Sequence, residues 1–332
     1  MSTDLKMLSD VNQDKRCLVL IRTPFQAWLV EKVLEAERVS SYDLLYLTQD
    51  NSTEDQFYYS RIAQRAFRAK YILVKRKRWD FLNHVWLALA AWPFVFKRRY
   101  NTTFVSSIDS YVLNAIANRR CVDHLVTFDD GTANYNQSSS YYNEPSSIRG
   151  RIYKKIFLAK SIIVTKEKIS RHYTVQPQLN NIVGGSRLRK VDLWSRRNIH
   201  RSEISSFRSY FIGAPFGEIF NSDQIKRLEN LVREIGIDVY VRHPREVIPL
   251  DLGAPFLRKN GRIAEEAILK DAGHQPILLI GSLSSVMFNL ARCADRRVVF
   301  VPYGSLKNES LVNLAIESGC KVVQVDIFED HS

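Results

Sequence analysis

Short runs of aliphatic and β-branched residues alternate along this chain with longer stretches whose apolar positions recur every three to four residues. Residues 17–21, Cys-Leu-Val-Leu-Ile, are continuously apolar, the pattern of a strand buried on both faces. Residues 23–35 carry the helical period that follows such a strand. The pairing repeats with a strand predicted at 42–47 and a helix at 56–69, and further strands are predicted at 71–74, 103–106, 124–128 and 161–164. A polar, basic stretch from Gly184 through Arg201 breaks the rhythm and reads as the join between two domains, 1–195 and 196–332. The alternation then resumes with a strand at 210–213, a helix at 222–235, and strands at 238–242, 276–280, 298–302 and 321–325. This order predicts α/β architecture with parallel sheets. Two doubly wound, Rossmann-like domains facing a central cleft are expected, with ligands at the carboxyl ends of the strands.

Composition narrows the class. A chain of 332 residues, 45% hydrophobic and 25% charged, suits two soluble globular domains. Cys17, Cys121, Cys293 and Cys320 lie far apart without a CxxC pair, which argues against zinc or a disulfide framework and fits a reducing cytoplasm. The opening to Arg16 is polar and charged, unlike a secretory signal. No apolar run reaches the roughly 20 residues of a spanning helix. The nearest approach, residues 85–96, is short and contains Pro93. It is flanked by Lys75-Arg76-Lys77-Arg78 and Lys97-Arg98-Arg99 in a chain of net charge +13. Aromatic residues beside cations suit peripheral contact with the inner, anionic face of the cytoplasmic membrane. A buried helix with solvated basic ends is the plain alternative. No zinc finger, helix-turn-helix or RNP-like motif is present, so nucleic acid is not an expected partner.

Four polar or glycine-containing turns fall at predicted strand ends. Asp129-Asp130-Gly131 offers one carboxylate as general base and another to orient the loop, although Asp-Asp-Gly is also an ordinary turn. His243-Pro244-Arg245 joins a histidine able to protonate a leaving phosphate to an arginine able to grip an anion, with Pro244 fixing the chain between them. A capping or core role for His243 is the alternative. Gly281-Ser282-Leu283-Ser284-Ser285 precedes an amphipathic run, as in an anion site or a plain helix cap. Gly213-Ala214-Pro215 is the fourth turn. No Walker loop or GxGxxG occurs.

The order of these motifs, and above all Thr127-Phe128-Asp129-Asp130-Gly131-Thr132-Ala133-Asn134 continued by Gln137-Ser138-Ser139-Ser140-Tyr141, resembles glycosyltransferase family 52, the bacterial lipooligosaccharide sialyltransferases. Weaker agreement runs through Arg22-Thr23-Pro24-Phe25-Gln26, Tyr58-Tyr59-Ser60-Arg61-Ile62 and Arg171-His172-Tyr173-Thr174. The resemblance implies a GT-B-like fold, a homodimer, and inverting, metal-independent transfer of sialic acid from CMP-sialic acid to a galactose-terminated glycolipid, with no cofactor. It places the acceptor beside the first domain's Asp-Asp-Gly turn and the nucleotide sugar in the second domain. Ser284 and Ser285 would contact the phosphate, Arg245 an anionic group, and His243 the departing CMP. Asp129, Gly131, Gly213, Pro215, Pro244, Gly281 and Ser282 complete the expected substrate-binding set. The base stays open between Asp130, favoured by distant sialyltransferases, and Glu218, the first acid after the Gly-x-Pro turn. An α-glucosyl transfer from UDP-glucose, or a non-catalytic protein binding anionic glycans, are the rival readings.

Overall fold

The computed structural model describes residues 16–74, 80–96, 98–194, 207–303 and 309–325. The chain divides into two compact units, 1–191 and 192–332. In the first, β1 (Cys17–Ile21) is buried along its whole length and leads through Thr23 into α1 (Pro24–Ala36). Thr23 accepts the amide of Gln26 at 3.3 Å, and Pro24 occupies a helix position that has no amide to lose. The unit continues with β2 (Tyr42–Thr48), α2 (Thr53–Ala63), β3 (Ala66–Leu73), α3 (Asp80–Phe96), β4 (Thr102–Val105) and α4 (Tyr111–Ala117). It ends with β5 (His124–Phe128), α5 (Ile148–Ile156), α6 (Ile162–Lys168), β6 (Ile169–Thr174) and β7 (Leu188–Lys190). These strands form a seven-stranded parallel sheet in the order β3-β2-β1-β4-β5-β6-β7. The order reverses between β1 and β4, so their carboxyl ends part and leave a crevice of the kind that ligands occupy.

The second unit runs β8 (Arg208–Ile212), α7 (Phe216–Ile219), α8 (Ser222–Ile235), β9 (Val239–Val241), α9 (Ala264–Ala272), β10 (Ile277–Gly281), α10 (Ser285–Asn289), β11 (Arg296–Pro302), α11 (Glu309–Glu317) and β12 (Lys321–Val325). Its five-stranded parallel sheet has the order β12-β11-β10-β8-β9, with the reversal between β8 and β10. A reciprocal capping box between Asn221 and Gln224 starts α8 where the periodicity places it. Each unit thus has the doubly wound form expected from the alternation.

Two stretches depart from the sequence reading. The helix expected at 56–69 ends at Ala63, and β3 begins at Ala66. That edge strand leaves Phe67 and Ala69 exposed and Ala66, Arg68 and Lys70 only partly buried, and its spaced apolar residues mimic a helical period. The strand expected at 161–164 is the start of α6, because the Ser161 hydroxyl accepts the Val164 amide at 3.1 Å. The cap overrides the β-branched Ile162-Ile163-Val164 run, and the strand follows at Ile169. The stretch read as an inter-domain join also contributes β7 to the first sheet. The apolar run 85–96 belongs to α3, whose Leu87, Ala91 and Val95 are buried. Lys75, Arg76, Lys77, Arg78 and Lys97 lie outside the described residues. No described helix is long and apolar enough to cross a membrane.

Candidate active site

In the first unit, the reversal point is closed by side chains from three strand ends. Asp129 is fully buried. Its Oδ2 accepts the Tyr135 hydroxyl, the Thr174 hydroxyl at 3.0 Å and the Val175 amide at 2.7 Å. His172 Nε2 lies 3.3 Å from its other oxygen. Asp129 thus ties β5 to β6 from inside the unit. Gly131 supplies the turn that follows, at φ +60, where a side chain would be strained.

Asp130 is the acid that turns toward the crevice. Its Oδ1 accepts Gln26 Nε2 at 2.7 Å, and its Oδ2 accepts Ser107 Oγ at 3.0 Å and the Tyr141 hydroxyl at 2.7 Å. Its amide donates to Asn134 Oδ1 at 2.6 Å. Three donors from β1, β4 and β5 connections thus converge on one carboxylate, and burial with the nearby Asp130 charge holds the Tyr141 phenol well above its usual pKa. Beside it, a cavity of about 360 Å³ is lined by Arg22, Asn83, His84, Asp109 and Lys154, among others. Asp109 accepts Ser140 Oγ at 2.7 Å, and burial, helped by Asp130's like charge, raises its carboxyl above the usual range. Asp109, Ser107 and the Gln26 contact were missed from the sequence. Asp109 sits just beyond the predicted strand 103–106, and applying the strand-end rule there would have found it.

In the second unit, β8, β9 and β10 end in the other three turns. Glu246 is buried at their centre. Its Oε1 accepts the Tyr240 hydroxyl at 2.5 Å, and its Oε2 accepts the His243 amide at 3.3 Å. Gly213 packs against this carboxylate: an added Cβ would stand 2.7 Å from Glu246 Oε2 and 3.0 Å from the His243 nitrogen. Gly213→Ala is expected to lower stability by about 1–3 kcal/mol through overpacking and to reduce turnover with it. Urea unfolding and initial rates on the same preparation check this, and an unchanged midpoint would remove the packing argument.

Held this way, His243 is partly exposed, and its Nδ1 accepts the Arg245 amide at 3.1 Å. A neutral ring that accepts at Nδ1 carries its proton on Nε2, which makes Nε2 the donor. Burial lowers the His243 pKa below the ordinary imidazole value, with the Arg245 and Lys259 cations adding and Glu218 opposing. Glu218 lies on α7, directly after Pro215, which caps that helix. Its Oε2 is 3.5 Å from Arg245 Nη1, and both side chains are more than half exposed. Proximity thus groups His243, Arg245 and Glu218, with Pro244 exposed between the first two.

Gly281 ends β10 opposite Ile212. The Ser282 and Ser284 hydroxyl oxygens are buried without a hydrogen-bond partner, and Ser285 is exposed. Ser284 occupies the cap position of α10 but makes no cap bond. A buried, unpaired hydroxyl costs about 1–3 kcal/mol, which an anionic ligand would offset. Nearby, buried Glu265 on α9 accepts Asn289 Nδ2 at 2.7 Å, and burial raises its carboxyl pKa. No sequence motif marked it. Among the described residues, no three His, Cys, Asp or Glu side chains gather as a metal site would need.

The family model for glycosyltransferase family 52 matches residues 44–303. An N-acetyllactosaminide alpha-2,3-sialyltransferase of Haemophilus influenzae is 26% identical over 288 residues, covering 86% of this chain and 91% of that protein. A CMP-N-acetylneuraminate:beta-galactoside alpha-2,3-sialyltransferase of Pasteurella multocida is 24% identical over 234 residues, covering 69% of this chain and 73% of that protein. Among solved structures, the glycosyltransferase SnogD from Streptomyces nogalater matches with a TM-score of 0.50 at 11% identity, over 94% of this chain and 88% of that one. At that identity the likeness bears on the fold, which is of the GT-B class.

Proposed function

The chain belongs to glycosyltransferase family 52, and from that premise we propose that it moves sialic acid from CMP-sialic acid to the terminal galactose of a bacterial glycolipid, forming an α2,3 linkage. The observation that carries the reading is His243, whose Nδ1 is occupied by the Arg245 amide so that Nε2 bears the proton of the neutral ring. In this reaction a base removes the proton of the galactose hydroxyl. The hydroxyl oxygen bonds to C2 of sialic acid as the C2–O bond to phosphate breaks on the opposite face, inverting the centre. CMP leaves with its new charge met by the His243 proton. The unpaired hydroxyls of Ser282 and Ser284, with Ser285, suit the donor phosphate, and Arg245 suits the donor's charge. Glu218, close to both Arg245 and His243, is the base we favour; Asp130 is the alternative.

No step needs a metal. Purified protein is expected to transfer sialic acid from CMP-sialic acid to lactose at a rate unaffected by EDTA. Turnover of UDP-glucose without sialyl transfer would overturn the donor assignment. Loss of activity in EDTA restored by manganese would overturn the metal-independent mechanism.

A further inference from the structure

The first unit turns an unusual face to solvent. Along α3, the apolar residues Leu82, Trp86, Leu89 and Phe96 recur every three to seven positions on one side and are 45% to 66% exposed. The opposite side of α3, through Leu87, Ala91 and Val95, is buried in the sheet's core. On α5, Ile148, Ile152 and Ile156 form a second outward stripe, 49% to 70% exposed, while Tyr153 faces inward to the same core. The helices lie side by side: the Phe81 and His84 rings of α3 sit 5.3 and 5.8 Å from Tyr153. Two helices that touch laterally and bury their backs in one core share a front. Ile163 and Val164 of α6 extend the exposed apolar surface beyond α5.

Charge says what would cover this front. Residues 81–96 contain no Asp, Glu, Lys or Arg, and α5 carries Arg149, Arg151, Lys154 and Lys155 with no acid of its own, Lys154 pairing with Glu144 at 2.7 Å. A second copy of the chain would bring these cations against their own kind, an arrangement that disfavours self-association. An anionic bilayer meets both features, taking apolar and indole side chains into its interface and pairing the cations with headgroups.

We infer that the joint face of α3 and α5 docks on an anionic lipid surface. The inner sides of the same two helices line the cavity described above, through Asn83, His84 and Leu87 of α3 and Lys154 of α5. Docking there holds the protein on the surface that bears a lipid-borne sugar, a consequence that rests on the glycolipid acceptor proposed above.

The test is co-sedimentation of the full chain with vesicles rich in phosphatidylglycerol and with vesicles of phosphatidylcholine alone, read alongside transfer to free lactose. Wild type is expected to pellet with the anionic vesicles and about tenfold less with the neutral ones. The pair Trp86→Asp and Leu89→Asp, and separately the pair Arg151→Glu and Lys155→Glu, are each expected to weaken vesicle binding about tenfold or more. The lactose rate and the melting temperature should stay as in wild type. Equal binding by wild type and both variants would overturn the inference. So would a change of mass in light scattering on introducing the aspartates with vesicle binding intact, which would make the face a contact between copies. Vesicle binding is read without any turnover, so a failure of the sialyl assignment leaves this result interpretable.

Discussion

His243→Ala is expected to lower kcat for sialyl transfer by about 10²–10⁴-fold, the span of a lost general acid, with a much smaller change in the KM for CMP-sialic acid. The expectation follows from the position of the ring and not from its type alone. The Glu246 carboxylate holds the His243 backbone and the Arg245 amide holds Nδ1, so the one free nitrogen carries the proton. If the imidazolium acts, Nδ1 takes a proton and releases the Arg245 amide, and activity then declines as pH rises through the ring's pKa. Burial, Arg245 and Lys259 place that pKa below the ordinary 6.5 in the free protein. The donor's phosphate brings a negative charge beside the ring and favours the imidazolium. The alkaline limb of kcat, which reports the bound complex, is therefore expected at higher pH than the limb of kcat/KM. Coincident limbs that His243→Ala leaves in place would assign the titration to another group. An undiminished kcat would remove His243 from the chemistry altogether.

The strand ends that carry this site were legible because of what parallel sheets demand. Strands such as 17–21 and 124–128 are covered on both faces and spell themselves as apolar runs, so the first polar residue after each run marks a loop at the ligand-binding edge. Asp130 and His243 were read as candidates that way. The partners that define their chemistry were not. Gln26, Ser107 and Tyr141 meet at Asp130 from as far as 104 residues away from it in sequence, and the β1–β4 reversal brings them together. Glu246 looks in sequence like any exposed loop acid, yet it is buried because Gly213 leaves room for its carboxylate. Asp129 and Asp130 are adjacent and chemically identical, and the turn after β5 sends one into the β6 strand end and the other toward Gln26 and Ser107. Local misreadings had a similar origin. The Ser161 cap and the exposed edge of β3 each defeated a propensity that was correct for the residues taken alone.

That contrast between neighbouring acids bears on the base. A carboxylate offers about four lone-pair positions, and Asp130 already accepts three hydrogen bonds from residues that fasten β1 and β4 to β5. Glu218 accepts one long contact from Arg245 and is largely open to solvent. The two substitutions are therefore expected to separate. Asp130→Asn turns one acceptor oxygen into an amide donor that faces Gln26, or Ser107 and Tyr141, and is expected to cost about 1–3 kcal/mol of stability, seen as a drop in melting temperature. Glu218→Gln leaves stability nearly unchanged, because an exposed ion pair contributes about 0–1 kcal/mol, yet it is expected to cut kcat about 10²–10⁴-fold. It carries a second signature. The Glu218 charge favours the His243 imidazolium, so its removal lowers the histidine's pKa and moves the alkaline limb of the residual activity to lower pH. Circular dichroism melts with kcat profiles for both variants decide the matter. Full turnover by Glu218→Gln, with Asp130→Asn folded at the wild-type temperature but inactive, would transfer the base to Asp130.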